Sequence, residues 1–387
     1  MSVINVPRPA ALQDPDLQIF EDSARRFFAD HATPEATARW RANGQVDRDL
    51  WKKAADAGLL LVSVPEEYGG GGGDFRHDVI LQELASRMGV DGFGFTLQNV
   101  IVGGYILTHG TEEQKRRWLP RMATGDLIAA VAMTEPNTGS DLQAIRTSAR
   151  REGDHYVVNG TKTFISNGLQ GNLICVVAST QPGAGSRGLS LLMVETDSTP
   201  GFERGRQLRK IGNHAQDTAE LFFSDARVPA ENLLGGEEGK AFPQLMKELA
   251  RERLMVAVTG VGAIEQALEE TVAYVKERSV FGQKIFEFQN TQFKLAECKT
   301  EATIAKVFVY HCLERALAGE LDAATASMAK LWVSEAQGRI IDQCLQFFGG
   351  YGYMEEYPIA RLYTDARVQR IYGGANEIMK MLIARTL

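Results

Sequence analysis

The stretch RIYGGANE, residues 370–377, constrains the fold more than any other part of the chain. Two earlier segments belong with it: ELARERL at residues 248–254 and MTEPNTGSD at residues 133–141. Residues 248–254 and 370–377 lie in parts of the chain with helical periodicity, whereas residues 133–141 follow a short run of small and β-branched residues. A fold with both helical and β-rich parts is therefore expected.

Length and composition indicate a multi-domain globular protein. A chain of 387 residues with 44% hydrophobic and 24% charged residues can bury two or three cores. The net charge of -7 gives no general reason to bind nucleic acid. The four cysteines show no CxxC spacing and the six histidines are scattered, so we expect free thiols and no metal site.

The sequence also predicts where the protein works. No apolar run reaches the length needed to cross a bilayer. The first nine residues resemble neither a signal peptide nor an organellar presequence. We therefore expect a cytoplasmic protein with no transmembrane segment.

Three kinds of sequence pattern follow one another along the chain. Residues 14–125 have helical periodicity, residues 127–235 form short strands separated by turn residues, and helical periodicity returns after Pro243. Breaks in the last part are expected near Gly282, Glu320-Leu321 and Gly349-Gly350. The pattern predicts an α+β protein that is mainly α. The glycine run 69–73 is expected to end the second helix as a flexible connection, because a phosphate loop would need a strand before it.

With its three segments and this layout, the sequence resembles the acyl-CoA dehydrogenase family, over essentially the full chain after the first dozen residues. The resemblance implies an N-terminal all-α domain at residues 1–126, a central β-barrel-like domain at 127–236 and a C-terminal four-helix bundle at 237–387. It also implies a homotetramer that uses FAD to convert an acyl-CoA to the trans-2-enoyl-CoA. Electron-transferring flavoprotein is the implied electron acceptor, and the long-chain branch is the most similar in its motifs.

The catalytic base is the most informative detail of the resemblance. The family usually has a glutamate where Gly373 stands here, but the long-chain and isovaleryl branches carry the base at the position of Glu252. On a helix beginning near Pro243, Glu252 interrupts a mostly apolar stripe, so its pKa should rise towards the range of a general base. The alternative is a helix-surface ion pair with Arg251, Arg253 or a partner chain. The apolar stripe consists of Leu245, Leu249, Val256, Thr259 and Ala263.

A cofactor is required because no amino-acid side chain accepts a hydride. The sequence lacks the Gly-x-Gly-x-x-Gly turn of nicotinamide-binding folds, which agrees with the implied FAD. One departure from the family is Ala375, where threonine is common. The resemblance assigns these residues to FAD: Met133, Thr134, Phe164, Ile165, Ser166, Arg278, Gln289, Gln346, Gly349, Gly350, Ala375 and Glu377. It assigns these to the substrate: Ser140, Arg253, Tyr372, Gly373 and Gly374.

Simpler interpretations stay open for several of these residues. Phe164 could be an ordinary core residue, Ser140 could belong to a turn or a helix cap, and Gly373-Gly374 could be a plain turn. Two other functions also remain open for the whole chain. One is a catalytically silent subunit that binds acyl-CoA or FAD as a scaffold, and the other is a related flavin oxidase that uses oxygen.

Overall fold

The computed structural model describes residues 3–387, so the first two residues of the predicted N-terminal domain lie outside it. The N-terminal region is helical, as predicted. Asp14 caps the first helix by accepting from the Asp16 amide at 3.0 Å, and a π-helical turn at Leu97–Val102 leads into the fifth. The helices are α1 (Pro15–His31), α2 (Pro34–Asn43), α3 (Asp49–Asp56), α4 (Phe75–Arg87), α5 (Gly103–His109) and α6 (Glu112–Ala123).

The glycine-rich run differs from its prediction. Helix α3 ends at Asp56, ahead of Gly58 with a φ of 69°, so the glycines do not end it. Amides of residues 70–73 donate to backbone carbonyls within residues 61–65, and a Cβ on Gly70 would lie 2.2 Å from the Val64 carbonyl oxygen. The prediction of a flexible connection is therefore wrong. Because these amides already have partners, the loop is not built to cradle a phosphate either.

The central region forms a curled seven-stranded sheet. Its order is β1-β4-β2-β3-β7-β6, with β5 paired to β4. The short strands predicted for residues 127–235 are present. Strand β6 could not have been placed from its own sequence, because FERGRQ is charged and mostly exposed and so lacks apolar alternation. The strands are β1 (Ala129–Ala132), β2 (Ser148–Glu152), β3 (His155–Ser166), β4 (Leu173–Ser179), β5 (Leu189–Glu195), β6 (Phe202–Gln207) and β7 (Thr218–Pro229).

The C-terminal region is built on three long helices, and its breaks fall where they were predicted. Two short helices, α10 and α11, pack on α9 and complete the helical domain. A small hairpin that was not predicted turns at Phe281-Gly282, where both residues have positive φ. The elements are α7 (Ala241–Glu277), β8 (Ser279–Val280), β9 (Gln283–Lys284), α8 (Gln289–Leu317), α9 (Ala323–Phe347), α10 (Pro358–Ala366) and α11 (Asn376–Ala384).

Helix α7 is the element that positions the site. It packs against α8 and α9 on one side and against α4 and α5 of the N-terminal region on the other. Leu254, Val258 and Val261 of α7 lie in one buried cluster with Val79 and Ile80 of α4. Their burial fixes the rotation of α7 about its axis. Among the described residues, no helix is both long enough and apolar enough to cross a membrane.

Candidate active site

Glu252 lies on α7 and faces α5. The buried Tyr105 of α5 donates its hydroxyl hydrogen to Glu252 Oε1 at 2.6 Å. Within the described part of the chain, Glu252 has no basic side chain at ion-pair distance, and Arg251 instead lies over the Phe75 ring at 4.3 Å. The structure therefore does not support the ion-pair alternative within one chain. Tyr105 was missed from the sequence, since nothing local marks a tyrosine 147 residues away as a partner.

The predicted apolar stripe around Glu252 is only partly buried. Leu245 is buried, but Leu249, Val256 and Thr259 are only half-buried, as is Glu252 itself. The residues that α7 turns towards the core are others, such as Leu254 and Val258. Leu245 and Ala263 at the ends of the stripe are buried, so only its middle, from Leu249 to Thr259, lies at the edge of the core, where an apolar ligand can complete its burial.

The surroundings of Glu252 give it the acid strength of a general base. Its removal from water raises the pKa to about 7, and the neighbouring Glu248 carboxylate adds to the rise. The Tyr105 hydrogen bond and the charge of Arg253 act in the opposite direction. A group with a pKa near neutrality is well suited to take and release a proton.

The loop at Gly373-Gly374 passes over the same part of α7. Both glycines have positive φ, at 64° and 93°, which residues with a side chain rarely adopt. A Cβ on Gly373 would lie 3.4 Å from Val256 Cγ2, one helical turn beyond Glu252. The structure thus brings Gly373 and Glu252 to one place. Tyr372, just before the glycines, is 42% exposed and free to contact a ligand.

Lys330 of α9 holds this loop in place. Its fully buried ammonium group donates to the Gly374 carbonyl and to Asn376 Oδ1, both at 2.8 Å. Burial lowers the pKa of Lys330 to about 8, and the nearby Arg253 charge contributes. Arg253 is also buried, with its Nη1 3.4 Å from Ser327 Oγ and its Nε without a hydrogen-bond partner in the described structure. No local pattern marks Lys330 in the sequence.

Phe164 is the most conspicuous residue of the β-rich side. It stands in β3 with a φ of 60°, next to a register shift between Lys162 and Ile165, and it is 68% exposed. A phenylalanine with left-handed backbone is strained, and an exposed side chain gains no stability from burial. Phe164 is therefore not an ordinary core residue. Ile165 points the other way, into the core, so that only its backbone could contact a cofactor, and Ser166 is half-buried.

Met133 and Thr134 lie beside this strand. The Thr134 carbonyl accepts from the Thr163 amide at 2.9 Å, and the buried Lys162 donates to the Met133 carbonyl at 2.9 Å. Lys162, another residue missed from the sequence, also pairs with Glu135 at 2.8 Å. These contacts hold residues 133–135 next to Phe164.

The Ser140 alternatives can now be separated. The Asp141 side chain accepts from the Gln143 amide at 3.2 Å and caps the short helical turn Leu142–Ala144. Ser140 itself is exposed, and its hydroxyl has no hydrogen bond among the described residues. The cap therefore belongs to Asp141, and the Ser140 hydroxyl is available to a ligand.

A second group of predicted residues gathers at the other end of the helical domain. Arg278, Gln346, Gly349 and Gly350 line one cavity of about 540 Å³. Arg278 follows Glu252 by 26 residues, which is roughly 39 Å at the 1.5 Å rise of an α-helix. One dinucleotide cannot contact both ends, so the structure separates these residues from Glu252 within one chain.

Three predicted cofactor residues belong directly neither to the site around Glu252 nor to the cavity around Arg278. Gln289 is exposed at the start of α8 and does not line the cavity with Arg278. Ala375 precedes α11 and provides no side-chain cap, and Glu377 is exposed in the first turn of that helix. These last two residues lie just after the glycine loop, close to the Lys330 anchor.

The fold and these sites match known proteins. Models of the acyl-CoA dehydrogenase N-terminal, middle and C-terminal domains match residues 14–126, 130–226 and 239–387. The chain belongs to the acyl-CoA dehydrogenase family. It is 48% identical to the mitochondrial long-chain specific acyl-CoA dehydrogenase of Sus scrofa, over 95% of this chain and 86% of that protein.

Solved structures agree with this assignment. An acyl-CoA dehydrogenase from Geobacillus kaustophilus has a TM-score of 0.95 at 47% identity, covering 98% of this chain and 99% of that one. The Bacillus anthracis acyl-CoA dehydrogenase complexed with FAD has a TM-score of 0.90 at 31% identity, covering 100% and 68%. The predicted family, fold, enzyme class and FAD cofactor are confirmed. The exposed Phe164 and the open glycine loop fit a flavin ring.

Proposed function

We propose that this chain dehydrogenates long-chain acyl-CoA thioesters between the α and β carbons, with Glu252 as the base. The proposal rests on the surroundings of Glu252. Its side chain is half-buried and accepts a hydrogen bond from Tyr105, and it lies one helical turn from Val256, which the Gly373 loop approaches. The chain length rests on similarity to long-chain specific relatives.

The chain's own residues divide the work as follows. Glu252 removes the α proton, and Tyr105 orients its carboxylate through the 2.6 Å hydrogen bond. Gly373 and Gly374 leave space for the thioester, while Lys330 keeps their loop from shifting. Phe164 and residues 133–134 present a wall for the flavin. When bound, FAD supplies the hydride acceptor that the reaction needs.

We also propose that the protein works as a homotetramer. Arg278, Gln346, Gly349 and Gly350 are too far from Glu252 to bind the same FAD within one chain, so we assign them to the cofactor of a neighbouring copy. Phe281, at the tip of the adjacent hairpin, is 97% exposed, as expected of a residue that a second chain covers. An arginine beside backbone-exposed glycines is well suited to a diphosphate.

For the electron acceptor, we propose electron-transferring flavoprotein. One similar chain, at 34% identity and a TM-score of 0.89, is from a structure described as the electron transferring flavoprotein of Acidaminococcus fermentans. The raised pKa of Glu252 argues against the silent scaffold, because a scaffold gains nothing from a carboxylate that is costly to ionise. Hydrogen peroxide formed during turnover would instead support the oxidase.

Domain limits and location are further parts of the proposal. The changes from helical to strand-rich sequence and back support domains at residues 1–126, 127–236 and 237–387. All four cysteines are buried and free, which supports a reducing compartment such as the cytoplasm.

The test is an anaerobic titration with acyl-CoAs of increasing chain length, following the visible flavin band. The wild type is expected to bleach most completely with a long chain, whereas Glu252→Gln binds the same ligand and stays oxidised. Glu314→Gln, an exposed glutamate of α8, is the matched control and should behave as the wild type. Bleaching of Glu252→Gln at the wild-type rate would show that another group is the base.

A further inference from the structure

A second pair of titratable side chains continues the contact between α5 and α7. Glu248 precedes Glu252 by one turn of α7, and His109 follows Tyr105 by one turn of α5, so each stands on the same face as its neighbour. His109 Nε2 lies 3.5 Å from Glu248 Oε1, beside the 2.6 Å bond between Tyr105 and Glu252. The four side chains, two polar pairs one helical turn apart, form a row along the contact between α5 and α7.

The outer end of this row reaches solvent. His109 lines a cavity of about 420 Å³ together with Thr108, Gln244 and Lys247. Lys247 is exposed, so the cavity is open at the surface of the protein. The inner end is Glu252 at the candidate active site. The row therefore leads from the proposed base to this surface cavity.

Glu248 and His109 lack the contacts expected of buried residues that serve only stability. Glu248 is 6% exposed, and among the described residues His109 is the one basic side chain within reach of its carboxylate, which it would pair with only when protonated. His109 Nε2 is buried and has no hydrogen-bond partner within the described structure. The 3.5 Å separation exceeds a normal N–H···O bond by a few tenths of an ångström, so a small movement closes it. A pair optimised for stability would be satisfied at rest.

Charges around the row favour a mobile proton. Burial lowers the pKa of His109, an effect that Lys247 supports and Glu248 opposes, so the imidazole is neutral near pH 7 and can accept a proton. At the inner end, burial and Glu248 raise the pKa of Glu252 while Tyr105 and Arg253 oppose the rise. Cys175 of β4 also faces Glu252, but burial keeps its thiol protonated with a pKa of about 12.

We propose that Glu248 and His109 form a proton exit from Glu252 to the surface cavity while an acyl-CoA fills the cleft. The inference rests on the proposed function, in which Glu252 takes the α proton. The proton then passes from the Glu252 carboxyl to the Glu248 carboxylate, from there to His109 Nε2, and finally to water in the cavity. Glu252 becomes a carboxylate again, no electrons move, and one proton is released.

Hydrogen exchange on a ligand that cannot be oxidised tests the route. The probe is 3-thiahexadecanoyl-CoA, whose sulfur at position 3 leaves no β hydrogen, so only the α proton can be removed. The FAD-loaded enzyme is incubated with it in D₂O over a series of pH values, and deuterium at the α carbon is followed by mass spectrometry. Without the exit, Glu252 returns the same proton to the ligand and exchange slows.

We expect His109→Gln and Glu248→Gln to slow exchange by about tenfold or more at every pH, in line with the loss of one acid–base group. Ligand affinity, measured from the flavin spectrum, should not change in His109→Gln. A loss of Glu248 that merely altered the pKa of Glu252 would shift the pH profile without lowering its plateau, and this result would overturn the route. His311→Gln, an exposed histidine of α8, is the matched control.

Chemical rescue guards against a folding defect. His109→Ala leaves room in the cavity, and added imidazole should restore exchange if His109 carries the proton. Unchanged exchange in His109→Gln, or slow exchange that imidazole does not restore in His109→Ala, would refute the route while leaving Glu252 as the base. Absence of exchange in the wild type, together with no bleaching by any acyl-CoA, would instead refute the proposed function itself.

Discussion

Removing the Tyr105 hydroxyl should make Glu252 a weaker acid. Tyr105→Phe deletes the 2.6 Å hydrogen bond to the ionised carboxylate and keeps the packing of the ring. Hydrogen bonds to charged groups are worth about 1.5–3 kcal/mol, and one pKa unit corresponds to about 1.4 kcal/mol. The pKa of Glu252, about 7 in the wild type, should therefore rise by roughly one to two units.

The consequence is a rate that depends on pH in a different way. At pH 7 the ionised fraction of Glu252 should fall from about one half to about one tenth or less, so flavin bleaching should slow about fivefold or more. The rate should recover at high pH. The assay is anaerobic stopped-flow bleaching with hexadecanoyl-CoA at a series of pH values.

Tyr156→Phe is the matched control for this experiment. Tyr156 also donates its hydroxyl to a glutamate, Glu238, at 2.7 Å, but it belongs to the central sheet. Its loss should leave the pH profile unchanged. If Tyr105→Phe has the wild-type midpoint, or a lower one, the assignment of Glu252 as a base tuned by Tyr105 is refuted.

Three further substitutions test other parts of the site. Glu252→Gln should stabilise the cofactor-free protein by up to about 3 kcal/mol at high pH, because a carboxyl with a raised pKa makes the folded state less stable as pH rises from 4.5 to about 7. Thermal melts below and above this range measure the change, and an equal effect at both would contradict it. Lys330→Met should cost about 1–3 kcal/mol and raise KM, since the Gly374 carbonyl and Asn376 lose their buried donor. Denaturant unfolding and steady-state kinetics check the two effects, with Lys299→Met at an exposed position of α8 as the control. Phe164→Gly should relieve backbone strain of about 1 kcal/mol yet weaken FAD binding, so an unchanged Kd for FAD in a flavin-fluorescence titration would refute its contact with the ring.

Local patterns were sufficient to find the three regions, whereas the resemblance to the family pointed to Glu252. Helical periodicity and strand punctuation depend on neighbouring residues, and the segments at 133–141, 248–254 and 370–377 are each contiguous. The absence of a glutamate at Gly373 and its presence at residue 252 can likewise be read without a structure. The glycine run 69–73 was misjudged, because its hydrogen bonds go to residues 61–65 in a geometry that composition does not specify.

Tertiary structure alone decided which side chains act together. Tyr105 and Glu252 are 147 residues apart, and Lys330 and Asn376 are 46 apart, so no periodicity links either pair. The exposure of Phe164 depends on a register shift against β7, and the distance between Glu252 and Arg278 depends on α7 continuing unbroken through Glu277. Sequence patterns specify which face of an element is apolar, whereas the partner of a polar group on that face is set by the packing of distant elements.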